Sequence, residues 1–274
     1  MATSWLEPGS KIQEIAKEVT QTLSNKGISC VLWNQAAMDV YGYVNEDPTF
    51  NIKTVDVIVS DLKFDIAKEI LAAASGGCCE ETTPIDLDLG HSEAHFLWKP
   101  PRTQNSEQAE EKILVGLVRQ RRVLWGRGPL EDTLEPGAPV AFLNEDFVSA
   151  ENRIFPDHDP DVGSSASEIP NLPAGYGRYN MFTCQVYIMR PYLYAKTLIL
   201  CAVRNYEGNN HIPIEAMILR KMGDCLDRYN VVRDLPFPYH MLYTQLRNSP
   251  DSPAATTDWV QRACRTLVGI SDLG

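Results

Sequence analysis

The chain has 274 residues, 44% of them hydrophobic and 22% charged, which places it among globular proteins with room for one large or two modest domains. Its net charge of −11 argues against wholesale coating of nucleic acid, because phosphate binding rests on Lys and Arg releasing counterions. No run of about 18 apolar residues occurs, and the N-terminal stretch has neither the basic flank nor the apolar core of a signal peptide, so a cytoplasmic protein without membrane contact is expected.

The charge is unevenly spread. From Glu131 to Glu168 there are ten acids against one base, Arg153, a local charge of −9. From Arg178 to Arg265, eleven bases stand against seven acids. The seven cysteines are odd in number and scattered, with no CxxC pair and no Cys/His ligand spacing, so reduced, mostly buried thiols are expected rather than disulfides or a metal site. The adjacent Cys78 and Cys79 read as filler near a strand start, with redox activity as the alternative.

In chain order, Pro8, Gly9 and Ser10 precede a 3.6-residue stripe of Ile12, Ile15, Ala16, Val19 and Leu23, and Gly27 follows as a stop: a first helix. Ile28 to Trp33 reads as a buried strand and Gln35 to Gly42 as a short Ala-rich helix. Thr54 to Val59 is a second strand. Asp61 is the expected N-cap of a helix through Leu62, Ile66, Ala67, Ile70 and Leu71, ended by Ser75-Gly76-Gly77. Strands at Ala94 to Lys99 and Ile113 to Val118 follow, the order expected of a layered α/β domain over residues 1–130. Residues 131–180 read as an acidic linker, with Pro156 to Gly177 as a lid. Residues 181–274 read as a helical layer packed on the sheet. It begins with a helix through Phe182, Val186, Leu193, Leu198 and Ala202, interrupted near Pro191. Pro213 opens a second stripe, and a last helix spans Thr256 to Leu267.

Three segments carry a family resemblance. Cys30 to Ala37 occupies a strand-to-helix turn, Lys53 to Val59 a strand with one aspartate, and Val115-Gly116-Leu117 a later strand. Taken in this order, the first 130 residues resemble the nucleotidyltransferase superfamily, in particular its divergent fungal members. The resemblance implies a mixed sheet flanked by helices. In that family a Gly-Gly or Gly-Ser pair follows the first strand, an Asp-x-Asp pair lies on the next and a third carboxylate on a later one, together holding two divalent metals. Here Trp33-Asn34 stands in the small pair's place, Asp56 matches the first aspartate, Ile58 replaces the second, and Gly116 stands where the third is expected. One ligand of three cannot hold the clamp of hard oxygen ligands that two-metal chemistry needs, so neither metal nor cofactor is expected. Asp86 and Asp88 alternate like a relocated ligand pair, or belong to an acidic loop.

The remaining candidates follow from residue chemistry. Asp56 is the expected general base or anchor for a substrate ammonium, against a fossil aspartate making a local contact. Asn34, at a helix start, would contact an anion or carbonyl, or serve the turn. His95, flanked by apolar neighbours, would face the cleft beside Asp56 as acid or base, or be a satisfied sheet histidine. His91 is a weaker version of it, and His158 lies in the acidic linker. Trp33, Lys53, Asp86, Asp88, Tyr176 and Tyr179 are candidate substrate-binding residues. Arg119, Arg121, Arg122 and Arg127, interleaved with Trp125, form the densest basic cluster, either a contact for single-stranded RNA or solvated charges on a strand edge.

Size, acidity and the depleted metal site also resemble the fungal arginine-containing cyclodipeptide synthases, secondary-metabolism enzymes that join aminoacyl groups delivered on tRNA. That resemblance implies an aminoacyl transferase with tRNA as partner. The alternatives are an inactive binding module on the same fold and residual nucleotidyl transfer.

Overall fold

The computed structural model describes residues 11–43, 54–73, 79–82, 92–98, 113–125, 127–128, 130, 134, 146–150, 186–206 and 212–267. The chain divides into two compact units, one of Met1–Arg122 with Arg127–Ile188, the other of Val123–Gly126 with Met189–Gly274.

The first unit begins with helix α1 (Lys11–Ser24), whose expected stripe of Ile12, Ile15, Ala16, Val19 and Leu23 is buried. Gly27 adopts φ 72° and closes the helix in a Schellman pattern, with the amide of Ile28 donating to the carbonyl of Leu23 and that of Gly27 to Ser24. Strand β1 (Cys30–Trp33) runs directly into helix α2 (Asn34–Val40). Strand β2 (Thr54–Val59) matches its expected bounds and is buried from Val55 onward, which is why it reads as a nearly continuous apolar run broken by Asp56.

Helix α3 spans Phe64–Ala73, two residues later than the expected N-cap at Asp61 requires. The later start makes Phe64, Ala67 and Leu71 the buried face and leaves Leu62 79% and Ile66 48% exposed. Asp61 instead accepts a hydrogen bond from the backbone amide of Arg121 at 3.2 Å. Strand β3 (Cys79–Thr82) begins at the strand start read beside Cys78 and Cys79, for which no bounds were expected; β4 (Ala94–Trp98) and β5 (Ile113–Arg119) match their expected bounds to within a residue. The one-turn helix α4 (Gln120–Val123) follows β5. Within the acidic stretch, the apolar pair Phe147-Val148 and Ser149 form a further strand, β6, and β7 spans Tyr187–Met189.

The seven strands are ordered β3-β4-β5-β2-β1-β7-β6. β2 pairs parallel with β5 and antiparallel with β1, β4 is antiparallel to both β3 and β5, and β1 is parallel to β7. The sheet is therefore mixed, with α1 and α3 packed on each other and on its central strands. This is the expected α/β class. β5 lies inside the sheet, between β4 and β2, so Arg119 and its neighbours are not edge-strand charges.

The second unit holds α5 (Pro191–Arg204), α6 (Ile214–Lys221), α7 (Gly223–Asp227), α8 (Val231–Asp234), α9 (Tyr239–Asn248) and α10 (Pro253–Leu267). Pro191 opens α5 rather than interrupting a longer helix, as a residue without an amide proton does at no cost in the first turn. Trp259 is fully buried and donates its indole N–H to the carbonyl of Leu242 at 2.7 Å, tying α10 to α9. Tyr243 donates to Asp227, and Arg247 pairs with Asp224 and Asp227, joining α9 to α7. Cys30, Cys201 and Cys225 are buried and outside any disulfide, and burial raises the pKa of the latter two. No helix among the described residues is long and apolar enough to cross a membrane.

Candidate functional site

The site grows from the register of the central strands. Trp33 pairs with Asp56, Asp56 with Gly116, and Gly116 with His95, so one row crosses β1, β2, β5 and β4. Directly paired residues project from the same face of a sheet, so Trp33, Asp56 and His95 share that face with a gap at Gly116. Asp56 fills the gap. A Cβ on Gly116 would lie 2.0 Å from Asp56 Oδ1 and 2.4 Å from Ser92 Oγ, far inside van der Waals contact.

Asp56 is 4% exposed, a burial that a carboxylate tolerates only with partners. Asn34 Nδ2 donates to Oδ2 at 2.8 Å, the Thr54 hydroxyl reaches the same oxygen at 3.4 Å, and the Ser92 hydroxyl donates to Oδ1 at 3.0 Å. Burial raises the pKa of Asp56; the hydrogen bonds from Asn34 and Ser92, the charge of His95 and the hydroxyl of Thr54 pull it back down, and the net shift is upward. The group thus holds its proton more tightly than an ordinary aspartate does.

Asn34 is positioned by its backbone. It starts α2 with φ 48°, in the left-handed region where Gly and Asn are the usual residues. Asn34 accepts this conformation as glycine does, and its side-chain amide is spent on Asp56. Gln35, next in the helix, accepts from the Thr54 amide at 3.2 Å and ties the helix start to the strand bearing Asp56.

Of the residues singled out in the sequence, Asp56, Asn34 and His95 come together, with Trp33 fully buried in the same row. Lys53, Asp86, Asp88, Tyr176, Tyr179, His91 and His158 lie outside the described residues. Ser92 and Thr54 were missed. Neither falls in a catalytic motif, although Thr54 stands two residues before Asp56, the spacing that puts strand side chains on one face.

The arginines are elsewhere and engaged. Arg119 pairs with Asp65 and Glu93, both at 3.1 Å, and lies over the Phe64 ring, 3.9 Å from its centroid. Arg122 pairs with Glu93 at 3.2 Å, Arg121 with Asp61 at 3.5 Å, and Arg127 with Asp146. In the second unit the guanidinium of Arg204 covers the Trp125 indole at 4.5 Å.

The two divalent metals of the nucleotidyltransferase scheme do not fit these residues. Ile58 is fully buried in place of the second ligand, and the volume where a third carboxylate would stand is taken by Asp56 itself. Hydrogen-bond donors already engage both oxygens of Asp56. No group of three or more His, Cys, Asp or Glu among the described residues is placed to hold a metal ion.

Fold and site together define an α/β protein with a mixed seven-stranded sheet and a buried, hydroxyl-bonded carboxylate at its centre. No family model matches the chain, and no curated protein matches it. Among solved structures it is similar to the crystal structure of an antigenic nucleotidyltransferase-like protein from Paracoccidioides brasiliensis, with 11% sequence identity, a TM-score of 0.42, and coverage of 97% of this chain and 90% of that one.

Proposed function

We propose that the chain carries out a metal-independent group transfer on a nucleotidyltransferase-like scaffold, with Asp56 accepting and returning the proton. The observation that carries this reading is a buried carboxylate of raised pKa, held by Asn34 on one side and by the Ser92 hydroxyl on the other, with His95 close enough to act on its charge. Buried acids with perturbed proton affinity and directed partners concentrate at functional sites, because a base of tuned strength is what proton transfer requires.

Aminoacyl transfer from tRNA, with arginine in the cyclodipeptide formed, is the particular reaction suggested by the sequence resemblance. The ion pairs of Arg119, Arg121, Arg122 and Arg127 weigh against those residues as its tRNA contact, since each guanidinium already faces a carboxylate. The test uses purified, pre-charged tRNAs including arginyl-tRNA, with EDTA present, and mass spectrometry of the products. The reading expects diketopiperazine formation that survives EDTA and disappears in Asp56→Asn. Absence of product from folded wild-type protein removes the aminoacyl form of the proposal.

A second reading has its own observation. Three donors engage both oxygens of Asp56, as in a closed cluster that merely braces the sheet of a binding module. Under that reading Asp56→Asn alters stability and leaves every ligand affinity unchanged.

A further inference from the structure

Asp56 is sealed from solvent, and so is Asn34, but Ser92 is half-buried, which makes it a member of the cluster that an incoming molecule can touch. Its position is fixed. Ser92 lies two residues before β4, and the amide of the next residue, Glu93, donates to the carbonyl of Leu117 at 2.8 Å. The Glu93 carboxylate is in turn gripped by Arg119 and Arg122. The absent side chain at Gly116 provides the space in which the Ser92 hydroxyl and Asp56 Oδ1 meet. Thr54 is also half-buried, but its hydroxyl is 3.4 Å from the carboxylate and shares Oδ2 with Asn34, a weaker alignment than the 3.0 Å contact that Ser92 makes to Oδ1.

We propose that Ser92 is the nucleophile of this site and takes up an acyl group from an activated ester, with Asp56 as its base. The proposal rests on the reading of Asp56 as a proton acceptor in group transfer. In the step, Ser92 Oγ attacks the ester carbonyl and its proton passes to Asp56 Oδ1. The Oγ–C bond forms, the bond from carbon to the leaving oxygen breaks, and Asp56 returns the proton to that oxygen. An acyl ester is neutral at its reacting carbon. A phosphoryl donor would bring several negative charges beside a buried carboxylate, a repulsion that grows as water is excluded.

The probe is p-nitrophenyl acetate, incubated with the full chain and with Ser92→Ala, Ser92→Cys and Asp56→Asn. Release of nitrophenolate is followed by absorbance, and the site of acetylation by peptide mass spectrometry. We expect one acetyl group on Ser92 in the wild type and none at this position in Ser92→Ala. Transfer to the retained nucleophile is expected in Ser92→Cys, and acylation at least about 100-fold slower in Asp56→Asn, the usual contribution of a general base. Absence of acetyl on wild-type Ser92 overturns the assignment, as does nitrophenolate release that Ser92→Ala leaves unchanged. If release then still depends on Asp56, the group-transfer reading stands with another acceptor; if it does not, both fall together.

Discussion

Replacing Gly116 by alanine sets two effects of opposite sign against each other. In an ordinary strand interior the change stabilises, by about 0.5 to 1 kcal/mol, because glycine loses more backbone freedom on folding. Here the new methyl would sit 2.0 Å from Asp56 Oδ1 and 2.4 Å from Ser92 Oγ, and both must move. Overpacking of this kind costs about 1 to 3 kcal/mol, and each buried polar group that loses its partner adds about 1 to 3 kcal/mol. We therefore expect a net loss of about 2 to 4 kcal/mol, read in urea as a midpoint lower by about 1 M at a slope of ~2 to 3 kcal/mol/M. The double variant Asp56→Ala/Gly116→Ala should lose less than the two single variants added together, because the first change removes the group that the second one strikes. An unchanged or raised midpoint in Gly116→Ala, or strict additivity in the cycle, would refute the packing of Asp56 over Gly116.

The pH dependence of stability follows from the same carboxylate. Its pKa is raised by burial, so the folded state keeps this proton at pH values where the unfolded chain releases it; the stability it contributes is complete below about 4 and is lost as pH rises through the raised value. The urea midpoint of Asp56→Asn should accordingly gain on that of the wild type from pH 4 toward pH 8, and a gap moving the other way would contradict the raised pKa. At Asn34, glycine keeps the left-handed backbone and loses only the amide to Asp56, whereas alanine loses both, so Asn34→Ala should melt below Asn34→Gly by the equivalent of about 1 kcal/mol. Arg119→Ala should cost about 1 to 2 kcal/mol, because this side chain is 19% exposed, doubly paired and stacked on Phe64, while Arg121→Ala, 67% exposed with one partner, should cost less than about 0.5 kcal/mol in the same urea assay.

The sequence made the heart of the site visible because its parts sit on strong local patterns. Asp56 interrupts a run of β-branched residues, Asn34 follows the strand beside it, and His95 alternates with Ala94 and Phe96 on the next layer of the pattern. Ser92 carried no such signal. It joins Asp56 only through the pairing of β4 with β5 and of β5 with β2, a relation spanning 36 residues that no local period encodes. The extent of the short strands was hidden for similar reasons. Cys79–Thr82 is polar and has no alternation, and Phe147–Ser149 is three residues set among acids. The arginine cluster looked like a single basic surface because its counter-charges, Asp61, Asp65, Glu93 and Asp146, are scattered along the chain and meet it only in the fold.

The central claim is that Asp56 serves a hydrogen-bonded, metal-independent site, and thermal unfolding with and without Mg²⁺-ATP tests it most directly. Binding at ligand concentrations 100-fold above the dissociation constant would stabilise the native state by about 2.7 kcal/mol, a rise in Tm of about 5 to 10 °C. Our account predicts no rise that depends on Asp56, so wild type and Asp56→Asn should respond alike. A Mg²⁺-dependent rise in the wild type that Asp56→Asn abolishes would show that this carboxylate still holds a metal and would contradict the account.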